Sequence, residues 1–196
     1  MPLAEGLVAY YELLELWNRK ISLTAIDEPD EAIDRLLVEP LLAARHLPAT
    51  ARSVLDVGSG GGSPAVPVKL ARPDLSLTMV ESKARKAAFL REVVRQLRLT
   101  GVHVEAARYE ELLTRPDLHE AFDVITLRAV KIDARIMMNL QAFLKPGGSF
   151  CLFRSTGDTE LPDSLPPSLI ISARHPLVET LRSQLVVVEK RRVGLA

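Results

Sequence analysis

The amino-acid sequence predicts an α/β fold in which a mostly parallel sheet is covered by helices on both faces. From residue 52 onward, short apolar runs alternate with longer amphipathic segments. This alternation is typical of parallel sheets built from strand–helix–strand units. A cluster of glycines follows the first apolar run directly. Before residue 52 the apolar residues instead recur at helical spacing, which predicts a helical extension ahead of the sheet.

The extension is expected to begin with a helix over residues 3–17. Its apolar side chains are spaced four and three positions apart and share one face: Leu3, Leu7, Tyr10, Leu14 and Trp17. Residues 29–47 predict two short helices that are broken near Pro40. We therefore expect an N-terminal helical extension over residues 1–48 and one compact domain over residues 49–196.

The strands of that domain are predicted from short apolar or alternating segments, which lie at 53–57, 75–80, 102–104, 122–127, 150–153, 169–171 and 185–188. Helices are expected between them at 64–71, 83–98, 109–114 and 132–143. Little helix separates the last two strands, so we expect them to end the sheet as an antiparallel hairpin. Residues 155–168 contain one glycine and three prolines and predict a long surface loop.

The charge composition argues against a protein that binds nucleic acid through its overall charge. The 196 residues carry 25 basic and 25 acidic side chains, so the formal net charge is zero. The distribution is uneven, because residues 1–40 have nine acids and three bases whereas residues 83–98 have six bases and one acid. A local basic face therefore stays open as a binding surface.

The cellular location is predicted from cysteine usage and from the apolar segments. Cys151 is the only cysteine, which excludes an internal disulfide and fits a reducing compartment. The N-terminus does not resemble a secretory signal, and no apolar run approaches the roughly 20 residues of a membrane span. We therefore expect a cytoplasmic, monomeric protein without a membrane segment or a metal site.

Four of the ten glycines, Gly58, Gly60, Gly61 and Gly62, lie directly after the first predicted strand. Residues without a Cβ let the backbone approach a ligand closely. The loop also leads into a predicted helix, whose free N–H groups attract polar or negative ligand groups. A plain tight turn between strand and helix is the alternative interpretation.

The spacing of these glycines distinguishes two cofactor classes. A dinucleotide fingerprint needs Gly-x-Gly-x-x-Gly, and counted from Gly58 its third glycine falls on Ser63. The pattern acid-x-Gly-x-Gly-x-Gly is complete at Asp56, Gly58, Gly60 and Gly62, and it resembles class I methyltransferases that use S-adenosylmethionine. The sequence has no P-loop pattern, so a P-loop ATPase is not expected.

Two further segments agree with a class I methyltransferase. Glu81 ends the second predicted strand, and its carboxylate can accept both ribose hydroxyls of a nucleoside. As an acid ahead of a helix, Glu81 is alternatively explained by the helix dipole alone. Residues 145–148 (KPGG) predict a sharp turn before the fifth strand, and such a turn also resembles this class. The predicted fold is thus a Rossmann-like, S-adenosylmethionine-dependent class I methyltransferase fold.

Other motifs narrow the resemblance to one bacterial family. Its Trp-Asn-Lys-x-x-Asn-Leu-Thr signature is matched at residues 17–24 (WNRKISLT), its helix after strand two at 81–90 (ESKARKAAFL) and its Arg-Ala element at 128–129. These motifs and the glycine loop occur in the family's order over about residues 10–155. The chain therefore resembles the small-subunit (16S) ribosomal RNA guanine-N7 methyltransferases, also called RsmG or glucose-inhibited division protein B.

The resemblance implies methyl transfer from S-adenosylmethionine to N7 of a guanine in 16S ribosomal RNA. It places cofactor contacts on Gly58 and Ser63 in the loop, on Tyr109 and Glu110 after strand three, and on Arg128 after strand four. Glu110 is alternatively a helix N-terminal acid, and Tyr109 a half-buried core ring. Arg128 is also the candidate catalytic residue that orients the guanine. Its alternative role is a partly exposed salt bridge, which would contribute little to stability.

A basic face for ribosomal RNA, or for the small ribosomal subunit, is expected on the helix after the second strand. Lys86, Arg91 and Arg95 lie largely off the apolar stripe of this helix and can follow phosphate groups. Arg19 and Lys20, which follow Trp17, are expected to extend the same surface. As a solvated charged face, the helix would need no function.

The substrate side departs from the family pattern. Where the family has His and Asp-Ser ahead of the sheet, this chain has Leu36 and Glu39-Pro40, and Arg154-Ser155 replaces a Lys-Gly pair after strand five. Ser63 replaces an aromatic residue or leucine. Two alternative functions therefore stay open. One is a class I methyltransferase that acts on a small molecule or a protein, and the other is a non-catalytic RNA-binding module.

Overall fold

A single seven-stranded sheet, with the strand order β3-β2-β1-β4-β5-β7-β6, forms the centre of the computed structural model. The structure describes residues 2–130, 132–157 and 165–192. The strands are β1 (Ser53–Val57), β2 (Ser76–Val80), β3 (Val102–Glu105), β4 (Phe122–Arg128), β5 (Leu144–Ser155), β6 (Leu169–Pro176) and β7 (Ser183–Lys190). Neighbouring strands from β3 to β5 are parallel, whereas β7 runs antiparallel to both β5 and β6. The predicted mostly parallel sheet and the terminal antiparallel hairpin are confirmed.

The helices are α1 (Leu3–Asn18), α2 (Pro29–Ile33), α3 (Glu39–Ala44), α4 (Ala65–Ala71), α5 (Ala84–Gln96), α6 (Tyr109–Leu112) and α7 (Ala134–Leu140), with 3-10 turns at Pro116–Leu118 and Gln141–Phe143. They cover both faces of the sheet and form two buried cores with it. Successive strand residues point to opposite sides and so enter different cores. Val54 packs in one core with Tyr10 and Phe89, and Leu55 packs in a second core with Met137. Within the described residues, none of these helices has the length and apolar character needed to cross a bilayer.

The expected break near Pro40 is wrong. Residues 29–44 form one continuous helical segment in which a π turn, Asp34–Val38, joins α2 to α3. Pro40 is the second residue of α3, and the helical segment continues through it although proline lacks the N–H that an interior residue would donate. The π turn therefore accommodates the proline without ending the helix.

The Lys-Pro-Gly-Gly segment is also placed differently from its prediction. It is an irregularity inside β5 rather than a turn before it, because Leu144 pairs with Phe122 while Ser149 pairs with Val124. The Lys145 ammonium lies 2.8 Å from a carboxylate oxygen of Asp123 on β4, and this ion pair holds the bulged strand in place. Half of the predicted surface loop over 155–168, namely residues 158–164, lies outside the described residues.

Candidate active site

A cavity of about 730 Å³ opens at the carboxyl edge of the parallel strands. Ligands bind at this edge in open α/β sheets. Its walls come from residues at or directly after the carboxyl ends of β1, β2, β4 and β5, and from the helical segment that contains the π turn. A volume of this size falls within the usual range of ligand sites, roughly 300–1,000 Å³. Among the described residues, no group of three or more His, Cys, Asp or Glu side chains is arranged to hold a metal ion.

The glycine loop forms one end of the cavity, which we call the glycine-loop end. Gly58 and Gly60 line it with φ angles of +75° and +51°, a conformation that favours glycine. The amides of Gly58 and Ser59 donate to the Val80 carbonyl at 2.9 and 3.0 Å, which ties the loop to β2. A Cβ added to Gly60 would meet only a backbone oxygen at 3.7 Å, so the space above this residue is open for a ligand.

Gly62 has a different role, although it completes the same motif. It does not line the cavity, and a Cβ added to it would lie 3.1 Å from Val66 and 3.2 Å from Leu90. Its φ angle is +88°. Gly62 is therefore required by the close packing of the loop on α4 and α5 rather than by a ligand.

Glu81 is the acidic group of the glycine-loop end, and it is 6% exposed. Its Oε2 accepts a hydrogen bond from the Gly60 amide at 2.9 Å, and its Oε1 accepts one from the Lys83 amide at 2.7 Å. Each carboxylate oxygen keeps a second acceptor position. Glu81 can therefore fix the loop and still accept two ribose hydroxyls, so this end fits the nucleoside part of S-adenosylmethionine.

Asp56 lies beneath the loop and not in the cavity wall. Its side chain is 1% exposed, and Oδ1 accepts a 2.5 Å hydrogen bond from the Thr126 hydroxyl on β4. Burial raises the pKa of Asp56, and hydrogen bonds from Ser59 and Thr126 oppose that shift. The structure thus makes Asp56 a buried link between β1 and β4, and direct contact of its carboxylate with the cofactor stays a prediction.

Arg128 ends β4 in another part of the cavity wall, which we call the arginine end. Its Nη1 donates to the Arg35 carbonyl at 2.6 Å and to Ser63 Oγ at 3.0 Å, and lies 3.5 Å from Glu39 Oε2. The Arg128 side chain is 15% exposed and that of Glu39 is 3% exposed. The alternative of a salt bridge to a neighbouring carboxylate is thus present, and the pair is less exposed than expected because the helical segment over 29–44 covers it. Burial lowers the pKa of Arg128, and the Glu39 carboxylate opposes the shift.

The residue after Arg128 has an unusual backbone conformation. Ala129 has a φ angle of +53° and also lines the cavity. A residue with a Cβ pays an energetic cost in this region, of order 1–3 kcal/mol, and such residues cluster at functional sites. This left-handed residue ends β4 directly after the arginine.

The sequence motif at residues 17–24 builds another part of the wall. Asn18 Oδ1 accepts hydrogen bonds from the amides of Leu23 and Thr24 at 2.8 and 3.0 Å. Leu23 and Thr24 line the cavity, and Leu23 also packs against Gly61. Trp17 packs on Phe89 of α5 with ring centroids 5.6 Å apart. The motif therefore fixes a turn that closes the cavity from the helical side.

Tyr109 and Glu110 are not brought to this cavity. They begin α6, and Tyr109 packs against the second core with Leu112 and Phe122 nearby in the same cluster. Burial raises the pKa of the Tyr109 hydroxyl. Their predicted contact with the cofactor is not supported by this geometry and stays a prediction.

The predicted RNA-binding residues are distributed unevenly around the cavity. Lys86 lines its rim together with Lys83, which the predicted set did not include. Arg91 donates to the Val104 carbonyl at 3.3 Å, and Arg95 makes two hydrogen bonds to Glu92, at 2.8 and 2.6 Å. Arg19 and Lys20 are exposed in the turn after α1, next to the Trp17–Phe89 contact.

Glu39 is a further residue of this site that sequence reasoning missed. The sequence marked it only as a departure from the family pattern, whereas the structure places it in the cavity wall beside Arg128. Burial raises the pKa of Glu39, while hydrogen bonding to Ser183 and the charge of Arg128 lower it. The signal was an acidic residue inside an otherwise apolar helical stretch, which is rarely buried without a partner.

Comparison with known proteins agrees with this geometry. Residues 3–171 match a family described as rRNA small subunit methyltransferase G (GidB). A "Ribosomal RNA small subunit methyltransferase G" of Xylella fastidiosa (strain 9a5c) is 38% identical over 188 residues, which cover 94% of this chain and 86% of that protein. The protein of the same name from Xanthomonas euvesicatoria pv. vesicatoria (strain 85-10) is 35% identical over 190 residues, which cover 95% and 87% of the two chains.

Solved structures support the fold class. A crystal structure described as a SAM-dependent methyltransferase from Aquifex aeolicus superposes with a TM-score of 0.58 at 14% identity, over 92% of this chain and 97% of that one. The class I methyltransferase fold predicted from the glycine loop is therefore confirmed. With the match over residues 3–171 and the identity to curated relatives, the chain belongs to the rRNA small subunit methyltransferase G family.

Proposed function

We propose that this protein transfers the methyl group of S-adenosylmethionine to N7 of a guanine in 16S ribosomal RNA. The observation that carries this proposal is the cavity itself. One end has a glycine loop and a ribose-binding carboxylate, the other has a buried arginine, and the chain around them matches the family over residues 3–171.

The chemistry requires little from the protein beyond alignment. S-adenosylmethionine supplies a methyl group on a positively charged sulfur. Guanine N7 has a lone pair on the major-groove edge and carries no proton there. Because N7 can attack the methyl carbon directly, no general base is needed. Alignment of the reacting atoms alone can supply several kcal/mol of the barrier reduction.

We assign the two ends of the cavity to the two reactants. Glu81 and the loop glycines bind the nucleoside of the cofactor. Glu81 follows β2 and Arg128 ends β4, with β1 between these two strands. The two residues are therefore two strand spacings of about 4.8 Å apart. We assign the entry of the target base to the position next to Arg128. Its guanidinium can donate to guanine O6 and leave N7 free. A base in this position has to leave its stack or come from a loop.

The basic groups at the cavity rim suit a phosphate backbone. Lys83 and Lys86, at the start of α5, line the rim itself. Arg19 and Lys20 follow the end of α1, where Trp17 packs on Phe89 of α5. We propose that these four residues bind RNA phosphates near the target base. Arg91 and Arg95 stay candidates for a more distant part of the same surface.

The test is methylation of small ribosomal subunits taken from a strain that lacks the gene. Purified protein and S-adenosylmethionine should add one methyl group to a guanine of 16S RNA, located by mass spectrometry of RNA fragments. Subunits incubated with the Gly60→Val variant serve as the control. Turnover of small molecules but not RNA, or salt-dependent RNA binding without turnover, would instead support one of the two alternative functions.

Two accompanying predictions concern the protein in the cell. We expect it to act as a monomer, which light scattering of the purified chain measures directly. We expect it to be cytoplasmic, where its ribosomal substrate is assembled, and cell fractionation checks this location.

A further inference from the structure

Glu39 is a buried acidic group in the cavity wall to which the proposed reaction gives no role. Its side chain is 3% exposed, and its Oε2 lies 3.5 Å from Arg128 Nη1. Removing a carboxylate from water costs several kcal/mol unless it is paired well. A hydrophobic residue would fill the same position at lower cost, so the charge of Glu39 calls for an explanation.

The position of Arg128 depends on the residue after Glu39, which lacks a backbone N–H. In an α-helix the amide of residue 40 would bond the Leu36 carbonyl, and in a π turn it would bond the Arg35 carbonyl. Residue 40 is proline, which has no N–H. Both carbonyls accept side-chain hydrogen bonds instead, from Ser63 Oγ at 2.8 Å to Leu36 and from Arg128 Nη1 at 2.6 Å to Arg35.

These contacts use one nitrogen of the guanidinium. Nη1 of Arg128 meets the Arg35 carbonyl, the Ser63 hydroxyl and the Glu39 carboxylate. In the part of the chain that the structure describes, no hydrogen bond reaches Nε or Nη2 of this residue. Because Arg128 lines the cavity, the anchoring leaves the remaining donors of a rigid planar group for a ligand.

The charge of Glu39 has a second consequence in this cavity. S-adenosylmethionine carries a positive charge at sulfur, whereas its demethylated product does not. The Arg128 guanidinium is only 15% exposed, so bulk water screens it weakly, and without a counter-charge it would repel the sulfonium. A carboxylate directly on Arg128 cancels this repulsion without occupying the space of the ligand.

We propose that Glu39 is a positioning residue that anchors Arg128 and cancels its charge beside the positively charged cofactor. This inference rests on the proposed function, because it takes S-adenosylmethionine as the cofactor. It assigns a purpose to a residue at which the chain departs from its family pattern. Ser63, a second departure, contacts the same guanidinium nitrogen.

The test compares the affinities of S-adenosylmethionine and its demethylated product by calorimetry, in the absence of RNA. Glu39→Gln keeps the size of the side chain and removes its charge. We expect this variant to weaken S-adenosylmethionine binding about threefold or more relative to product binding. Glu39→Asp keeps the charge and should restore the wild-type ratio. Asp30→Asn removes an exposed carboxylate of the same helical segment that does not line the cavity, and it is the matched control, with no change expected.

A charge cycle keeps the inference testable if Glu39→Gln does not fold. Arg128→Gln should shift the ratio in the opposite direction, towards S-adenosylmethionine, because it leaves the Glu39 charge uncancelled. The double variant has neither charge and should return the ratio to that of the wild type. Equal changes for both ligands in all variants would make Glu39 a purely structural residue and overturn the inference. A wild-type protein that binds both ligands but does not methylate ribosomal RNA would overturn the proposed function alone.

Discussion

The two ends of the cavity are built from contacts of very different range along the chain. At the glycine-loop end, the hydrogen bond from the Gly60 amide to Glu81 joins residues 21 positions apart. At the arginine end, the hydrogen bonds of Arg128 span 93 positions to Arg35 and 65 positions to Ser63. The first end consists of backbone and one carboxylate on neighbouring strands, whereas the second needs the helical extension to cover the sheet.

Under the proposed function, this difference separates the residues expected to bind the cofactor from those expected to select the substrate. A loop held by adjacent strands serves any nucleoside cofactor, and such loops recur on many enzymes of this fold. The arginine end depends on residues that come together only in this arrangement of helices. Variants at the two ends should therefore differ in whether they affect cofactor affinity, methyl transfer or stability.

The largest effect is expected at the glycine-loop end. Gly60→Val should abolish S-adenosylmethionine binding in calorimetry, because a branched side chain would enter the open space above the loop and is strained at a φ angle of +51°. Gly61→Ala is the matched control. Its added Cβ would meet Leu14 at an ordinary distance of 3.4 Å, so binding should change little. Retained affinity in Gly60→Val would place the cofactor elsewhere.

Arg128→Ala should affect the other end in two ways. Methyl transfer should fall about 100-fold, since small misplacements of aligned reactants are costly. Unfolding in urea should show a loss of about 3 kcal/mol, because the Glu39 carboxylate is left buried without its partner. Arg128→Lys should recover little activity, since a point charge cannot replace a planar fork of donors. Normal turnover per folded molecule would make Arg128 a structural ion-pair partner only.

Charge reversal at two pairs of basic residues on or next to α5 should show which of them bind RNA. Replacing Lys83 and Lys86 by Glu should weaken RNA binding about tenfold or more and flatten its salt dependence, which filter binding at several salt concentrations measures. The same change at Arg91 and Arg95 should have a smaller effect, because those side chains bond to neighbouring protein groups. Equal effects of the two pairs would mean that the whole helix face binds RNA.

The smallest effect on stability and activity is expected at the amino end of β4, at the other end of the strand from Arg128. Burial would raise the pKa of Asp123, but hydrogen bonds from Lys145 and from the Arg52 and Ser53 amides lower it to about 2. This value lies below the unfolded value of roughly 4, so the ionised carboxylate stabilises the fold above pH 4. The stabilisation is lost as the pH falls towards 2.

Asp123→Asn tests this end of the strand. It should reduce the free energy of unfolding by about 1 kcal/mol at pH 7 and flatten its pH dependence between pH 4 and 2. Methyl transfer per folded molecule should stay at the wild-type level. A loss of activity as large as that of Arg128→Ala would contradict the separation of the two edges.

The sequence predicted the glycine-loop end more fully than the arginine end. Gly58, Gly60 and Glu81 follow strands at recognisable spacings, so their meeting at one sheet edge could be derived from strand order alone. Arg128 was identified by its place after β4, but its partners were not. The pairing with Glu39 depends on a π turn, which no local periodicity of the sequence indicates.

Two other differences have physical reasons of the same kind. Asp56 and Gly62 belong to the motif by spacing, yet the first bonds to Thr126 and the second packs against Val66 and Leu90. A sequence motif shows which residues a loop requires, but it does not show whether a residue contacts the ligand or packs against the protein. Tyr109 was expected at the cofactor, whereas the structure packs it in the second core.

The π turn at Asp34–Val38 also bears on how relatives of this protein diverge. A π turn holds an extra residue compared with an α-helical one, and one residue turns a helix by about 100°. Deletion of Leu37 or Val38 from this stretch would rotate Glu39 away from the arginine without removing any residue that lines the cavity. A one-residue gap here in an alignment would thus mark a rebuilt substrate wall, which comparisons of amino-acid identity alone would overlook.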